Sequence, residues 1–425
     1  MHNRGDIEGE PLPDSTDAGK PLPLDGVRIC DFSWIVAGPQ ATRIFADLGA
    51  EVIKVENESH LDSMRMALRD PQGPPSFNRS GFYNNFHRNK LGITANLYHP
   101  EGKEVVERLI AQSDIVIENF SAGAFERMGY PYERLVEIKP DIIYLSLSGF
   151  GHIGRDSHHV TWGPTAAGVS GATAMSGLPD DEPAGWGYSY LDHTAGFYGA
   201  IALLMALYHR DQTGEGQHVD MAQVETGMVL GGVPMLDYQV NGRDYTRIGN
   251  RSRYPSIAPH GIYRCEGDDR WIAIVAETNE QWHDLCGVLG APDLASDARF
   301  PNNAARVAEQ DALDAAITEL TRSREPHELM YALQARGVAA GVCQTMQDRM
   351  EIDPQLADRG FYRSAPHAEL GEHRFEGFPM QFSNARWRID RGAPQLGQDT
   401  MQVLTELLGY SEADVERLTA EAALL

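Results

Sequence analysis

Apolar and polar positions fall, over the first 150 residues, into blocks that read alternately as strand and helix. Val27-Arg-Ile-Cys-Asp-Phe32 reads as a strand, and Ala37 to Leu48 as a helix entered through Gly38–Pro39. Ala50 to Glu56 reads as the next strand, so the three form a βαβ unit with a Gly/Pro loop at the carboxyl end of its first strand. Glu101 to Gln112 places Val105, Val106, Leu109 and Ile110 on one helical face. Asp114–Glu118 is a strand, Tyr132–Ile138 a short helix, and Asp141–Ser148 a strong strand. Strands alternating with helices predict an α/β fold with an open, mostly parallel sheet. Ligands bind such sheets outside the carboxyl ends of the strands. The loops of interest are therefore 33–38, 57–63, 119–123 and 149–154.

The pattern changes at Gly185–Tyr208. His193 to Leu207 carries no Asp, Glu, Lys or Arg, which predicts a helix apolar on every side and deep in a core. It is short of the ~20 residues needed to cross a bilayer. Asp192 stands where an N-cap belongs, and capping together with the helix dipole favours its ionised form. Two readings remain open for it: a cap only, or a carboxylate nucleophile toward an already activated acyl group. The Gly/aromatic run Gly185-Trp-Gly-Tyr-Ser-Tyr190 would line a pocket above it.

Further along, residues 213–220 read as a turn into a strand and 222–230 as a helix. Residues 258–265 and 269–275 form an antiparallel hairpin pattern, followed by helices at 279–289, 304–322 and 326–336. Amphipathic helices at 399–408 and 411–420 close the chain. The domain expectation is a disordered arm at 1–23, a large Rossmann-like domain from 24–234 and 341–425, and a smaller inserted α+β domain at 235–340.

Composition adds exclusions. A formal charge of −25 argues against nucleic acid and anionic membrane as partners, and any polyanionic ligand must find a local basic cluster. Cys30, Cys265, Cys286 and Cys343 are scattered without metal-ligand spacing and read as small apolar fillers. With no charged-then-apolar leader, they predict a cytoplasmic protein. Gly149-Phe-Gly-His-Ile-Gly154 matches a dinucleotide fingerprint by letter, yet the residues after it do not read as a helix. The adjacent pair His158–His159 lacks zinc spacing, and no metal is expected.

Several strings together resemble class III CoA-transferases. They are Leu24–Phe32, Ala37-Gly-Pro39, Leu48–Glu56, Arg88-Asn-Lys90, Glu118-Asn-Phe120, Arg127-Met-Gly129, Tyr190-Leu-Asp-His-Thr194 and Thr213–Gln217. This superfamily includes formyl-CoA, carnitine and succinyl-CoA:benzylsuccinate transferases and α-methylacyl-CoA racemase. The resemblance implies a Rossmann-like domain built from both chain ends, a small inserted domain, and ring-shaped subunits interlocked as a dimer with itself or a homologous subunit. It implies that Asp192 is the catalytic nucleophile. It also implies that CoA runs along Trp34, Ile35, Val36 and Ala37, with adenine and phosphate contacts near His87, Asn89 and Lys90, Asn119, Phe120 and Ser121, and Arg127 and Met128. Ser148 and Gly149 would lie near the thioester. Tyr188, Tyr190, Arg253 and His260 are candidates for the acceptor acid. CoA or acyl-CoA would be a substrate, with no tightly bound cofactor.

The activity so implied moves CoA from an acyl-CoA, such as succinyl-CoA, to a dicarboxylic or aryl-substituted acid through an aspartyl anhydride and an aspartyl-CoA thioester. The alternatives are an acyl-CoA racemase, a partner subunit of a heteromeric transferase, and a nicotinamide oxidoreductase. The racemase His–Asp pair falls on Trp162 and Gly163, which exchange no proton.

Overall fold

The structure, a computed structural model, describes residues 19–67, 73 and 76–424, so residues 1–18 of the polar arm lie outside the described residues. The chain divides into two compact units. One comprises residues 1–173, 185–243 and 354–425, the other residues 174–184 and 244–353. The second unit thus starts later than residue 235, ends later than 340, and recruits an eleven-residue segment from before the catalytic candidate.

The first unit is built on six strands. In chain order they are β1 (Arg28–Asp31), β2 (Glu51–Glu56), β3 (Leu91–Thr94), β4 (Ile115–Glu118), β5 (Ile143–Ser148) and β6 (His218–Ala222). Its helices as far as residue 241 are α1 (Ala37–Asp47), α2 (Gly81–His87), α3 (Pro100–Ala111), α4 (Ala124–Arg127), α5 (Tyr132–Ile138), α6 (Gly163–Val169), α7 (Tyr190–Thr213), α8 (Gln223–Leu230) and α9 (Gly232–Asn241). All neighbouring strands pair in parallel, in the order β3-β2-β1-β4-β5-β6. This is the Rossmann order, with its topological switch between β1 and β4.

Both faces of the sheet are covered, which is why its strands are continuous apolar runs. Ile29, Val52, Ile115, Ile143 and Leu145 point to a core shared with α1 and α7. Cys30, Ile53, Val116 and Tyr144, their alternating neighbours, point to a second core. That core holds Val105, Val106 and Leu109 from α3 and Leu404, Leu408, Val415 and Leu418 from the chain's end. A hairpin of Tyr362–His367 with Gly371–Glu376 was not read from the sequence.

The second unit has its own three-stranded antiparallel sheet of His260–Arg264, Trp271–Val275 and Ala339–Val342. Its core gathers Tyr263, Ile272, Ile274, Trp282, Leu285, Phe300, Leu313, Ile317 and Leu333. Three cysteines are buried as expected of fillers, but Cys343 is exposed.

α7 departs from expectation in two ways. It starts at Tyr190 with Ser189 as N-cap, so Asp192 lies inside the first turn instead of capping it. Nor is it buried all round. Leu191, Asp192, Ala195, Gly196, Gly199, Leu203 and Ala206 form one buried stripe, while Phe197, Ile201, Met205 and Tyr208 on the other side are exposed. The buried stripe is made of small residues because α1 lies very close: a Cβ on Gly196 would come within 2.8 Å of the Ala37 carbonyl oxygen. That approach brings the first turn of α7 to the carboxyl edge of the sheet.

Candidate active site

A cleft of about 230 Å³ opens at the carboxyl ends of β1, β4 and β5. Its walls are the loop Trp34–Ala37, then Asn119–Ser121, Leu147–Gly149 and His159–Gly163, with Asp192 and Gln223. The structure therefore brings Trp34, Ile35, Val36, Ala37, Asn119, Phe120, Ser121, Ser148 and Gly149 together with Asp192. The Ser148 hydroxyl in this wall is buried with no protein partner.

Asp192 is buried. Gln223 Nε2 donates a hydrogen bond to its Oδ1. Burial pushes the carboxyl above its ordinary value, against the pull of that hydrogen bond and one from Ser189. The expected help from capping and the helix dipole is thus opposed by desolvation, because Asp192 lies inside a first turn drier than a helix end at the surface. On the other side stands Gly163, where a Cβ would lie 2.5 Å from Oδ2 and 2.8 Å from Cγ. The carboxylate is wedged between an amide donor and a bare backbone.

The loop after β1 is held one group at a time. Asp31 accepts the Ser33 N–H at 2.8 Å and its hydroxyl at 2.5 Å. Lys54 Nζ donates to the Ser33 carbonyl at 2.8 Å. Asn119 accepts from the Trp34 N–H (2.6 Å) and donates to the Trp34 carbonyl (2.8 Å). Asp62 accepts the Ile35 N–H at 3.1 Å. Ile35 has φ +68°, a left-handed conformation that a β-branched residue adopts only when its surroundings impose it.

A second cleft, of about 300 Å³, shares Trp34, Phe120 and Ser121 with the first. It is lined further by Phe32, Asn57, His60, Leu97, Tyr98 and Met128. Arg127 is exposed at the end of α4, beside Met128. Asn57 and His60 belong to the loop 57–63 already picked out as a strand-end loop, whereas Leu97 and Tyr98 lie outside every loop so picked. Reading Leu91–Thr94 as a strand would have placed Ala95–Tyr98 among the strand-end loops.

Three residues that the resemblance puts near adenine and phosphate lie away from both clefts. His87, Asn89 and Lys90 lead into the amino end of β3, not away from its carboxyl end. Lys90 is fully buried, and its Nζ donates to Asp31 Oδ2 (3.0 Å) and to Thr42 Oγ1 (2.7 Å). Burial lowers its ammonium to about 8, and the neighbouring Lys90 and Lys54 hold Asp31 well below its usual range despite burial. His87 is buried 3.5 Å from Asp62, and desolvation keeps it neutral. Asn89 lines a separate cleft with Arg28 and Glu51, and donates to Asp47 and to the Arg388 carbonyl. None of the three lines either strand-end cleft.

Tyr188 and Tyr190 are exposed and outside the lining; Tyr188 meets Phe82 and His193 at a tilt, and Tyr190 meets Trp186 edge-on. Arg253 and His260 belong to the second unit. There Arg253 donates to Thr246 Oγ1 at 2.7 Å, and His260 Nδ1 lies 2.7 Å from the Asn250 carbonyl. Gly149–Gly154 runs into turns, and no helix begins before Gly163. No group of three or more His, Cys, Asp or Glu side chains among the described residues is arranged to hold a metal. No described helix is long and apolar enough to cross a membrane.

A doubly wound sheet with a cleft at its switch point, and one buried carboxylate in the wall of that cleft, is the arrangement of an α/β enzyme. The chain belongs to CoA-transferase family III, whose family model matches residues 24–400. It is 34% identical over 422 residues to a probable CoA-transferase of Mycobacterium tuberculosis, covering 97% of this chain but only 52% of that relative. It is 33% identical over 404 residues to the succinyl-CoA–D-citramalate CoA-transferase of Chloroflexus aurantiacus, covering 95% and 98% of the two chains. The crystal structure of a CAIB/BAIF family protein from Brucella suis superposes with a TM-score of 0.83 at 33% identity, over 91% of this chain and 100% of the other. CoA thioesters are therefore its substrates.

Proposed function

We propose that the protein moves CoA from succinyl-CoA to a dicarboxylic acid, with Asp192 as the covalent carrier. The observation that carries this is the placement of Asp192, buried and wedged, in the wall of a cleft at the switch point of the sheet. The relative from Chloroflexus aurantiacus, named for a succinyl-CoA donor and a dicarboxylic acceptor, supports the substrate class. Asp192 Oδ2 attacks the thioester carbonyl, and the carbon–sulfur bond breaks to give an anhydride and CoA thiolate. The thiolate attacks the aspartyl Cγ, and the Cγ–Oδ2 bond breaks to release succinate and leave an aspartyl thioester. The acceptor carboxylate then reverses the sequence. Anhydride and thioester both hydrolyse in water, so a buried carboxylate suits them.

CoA would enter through the second cleft. Its aromatic wall of Phe32, Trp34, Phe120 and Tyr98 suits an adenine, and Arg127 beside Met128 suits its phosphates. The Trp34–Phe120 pair, edge-on at 5.6 Å, would flank pantetheine between the clefts.

The decisive experiment incubates the protein with succinyl-CoA and a panel of dicarboxylic acids and follows new thioesters by mass spectrometry. The peptide containing Asp192 should carry hydroxylamine-sensitive CoA. Asp192→Asn should bind CoA normally and turn over nothing; exchange activity in that variant refutes the mechanism. His159, which lines the cleft with Asp192, is the observation that favours a racemase instead. Deuterium incorporation at C2 of a branched acyl-CoA would decide for it.

A second copy of the chain would cover the exposed side of α7 together with α9, none of whose residues is buried. Phe197, Ile201, Met205, Val233, Leu236 and Val240 are large apolar side chains left exposed on these two helices, the kind of surface a partner covers. Light scattering should give a dimer, and Ile201→Asp with Met205→Asp should give monomer. A monomeric parent would refute this, and capture of a homologous subunit instead would make the protein half of a heteromer.

A further inference from the structure

We infer that Gln223 is a second catalytic residue, the donor that stabilises the negative charge formed on Asp192 Oδ1 whenever the aspartyl carbonyl is attacked. The inference rests on the reading of Asp192 as the covalent carrier.

Gln223 opens α8 directly after the last residue of β6, so the sheet delivers it to the same carboxyl edge as Asp192. It is buried, lines the cleft, and spends its amide on one atom, Oδ1. Gly163 stands nearer the other oxygen, with no side chain in the way: a Cβ there would lie 2.5 Å from Oδ2 and 3.0 Å from Oδ1. The two carboxylate oxygens are thereby distinguished. Oδ2 forms the bond to the incoming acyl carbon and departs with the donor acid; Oδ1 stays on the protein as the carbonyl oxygen.

When thiolate adds to the anhydride at Cγ, the new carbon–sulfur bond pushes the carbonyl pair onto Oδ1. A tetrahedral oxyanion results, and it collapses by expelling succinate. When the acceptor carboxylate adds to the thioester at Cγ, the pair again goes to Oδ1, and collapse expels CoA thiolate. In both ground states Oδ1 is a neutral carbonyl oxygen, and in both transition states it carries a growing charge. A donor fixed on Oδ1 therefore binds the transition state more tightly than the intermediate before it, which raises kcat without tightening substrate. A neutral amide suits the position, since a cation there would bind the free carboxylate strongly and blunt its attack.

The test uses the full-length protein and compares Gln223→Ala and Gln223→Met, the second close in length but without a donor. The Asp192–CoA adduct is formed from succinyl-CoA, freed of excess donor, and mixed with an acceptor acid; its decay is followed by quenched-flow mass spectrometry. Decay is expected to slow by about 10²–10³-fold in both variants, with KM for succinyl-CoA within about twofold of the parent. The acid limb of kcat/KM should also move to higher pH, because losing the donor disfavours the charged carboxylate; a side chain that merely fills space would not move it. Decay at the parent rate in the Met variant overturns the role of Gln223 while leaving Asp192 as carrier. No adduct in the parent protein overturns the carrier reading itself.

Discussion

Gly163 gives the sharpest quantitative test of how the site is built. Its φ lies outside the left-handed region, so Ala can take the same backbone conformation. By unfolded-state entropy alone Gly163→Ala would stabilise the protein by about 0.4–1 kcal/mol. Against that, the new Cβ would stand 2.5 Å from Asp192 Oδ2 and 2.8 Å from Cγ. Non-bonded carbon contacts are comfortable only at about 3.5 Å, so the carboxylate must retreat by about 1 Å. Such overpacking costs about 1–3 kcal/mol, leaving a net loss of no more than about 2.6 kcal/mol. Activity pays more heavily, because a nucleophile displaced by about 1 Å loses on the order of 10²-fold in rate. The assay is steady-state CoA exchange alongside thermal denaturation. The expected result is kcat down about 100-fold, KM for acyl-CoA nearly unchanged and a folded protein. The control is Gly168→Ala in the same helix, where a Cβ meets nothing within 4 Å. It should be fully active and up to about 1 kcal/mol more stable. A Gly163→Ala enzyme within threefold of the parent kcat would show that Asp192 is not wedged, and the argument from its position would fail.

Two further outcomes follow from buried charge. Lys90→Ala strips the partner from buried Asp31 and should cost on the order of 3–5 kcal/mol in chemical denaturation, whereas a phosphate ligand would raise KM and leave stability alone. Glu118 accepts from the Phe120 N–H (2.7 Å) and the Tyr144 hydroxyl (3.0 Å), yet burial pushes its carboxyl up to about 8 from an ordinary 4.5. Between those values the native state holds a proton that the unfolded chain has lost. Stability from this group is therefore full below 4.5 and falls as pH rises through about 8. Its slope is at most about 1.4 kcal/mol per pH unit. Glu118→Gln should flatten that slope in urea melts across pH 5 to 8; an unchanged slope would place the titration elsewhere.

The elements legible in the sequence were those whose own residues carry the periodicity. β1, α1, β2, α3, β4 and β5 bury one face or both through local alternation, and Asp192 stands out as the acid at the head of an uncharged run. What escaped depends on partners distant in sequence. β3 is four residues with too short a pattern to read, and the resemblance that put Lys90 near a phosphate could not show that its counter-ion is Asp31, at the end of β1 with β2 between the two strands. The uniform apolar content of α7 records how much of it is apolar, not which chain covers it, so its exposed side could not be foreseen. Gln223 is a polar residue at a helix start like many others; only the fold brings it to Asp192, 31 residues away.

The loop after β1 shows why a local reading finds such a site and cannot explain it. Ser33, Trp34 and Ile35 would be an ordinary strand-to-helix turn were their backbone groups left to solvent. Instead Asp31, Lys54, Asn119 and Asp62, from two strand ends, the interior of β2 and one loop, each take one or two of those groups. No single bond of this kind outweighs the strain of a left-handed isoleucine, about 1–3 kcal/mol, but together they over-determine it. The buried network of Asp31, Lys54, Lys90 and Thr42 beneath is then the foundation of the loop. That role accounts for charge in the core of an acidic protein better than ligand binding does, since each of these cations already has its partners. A rigid loop in one wall and a wedged carboxylate in another leave the acyl carbon little freedom between them. Orientation of that kind is worth most where the chemistry is a sequence of attacks on a single carbonyl carbon after another.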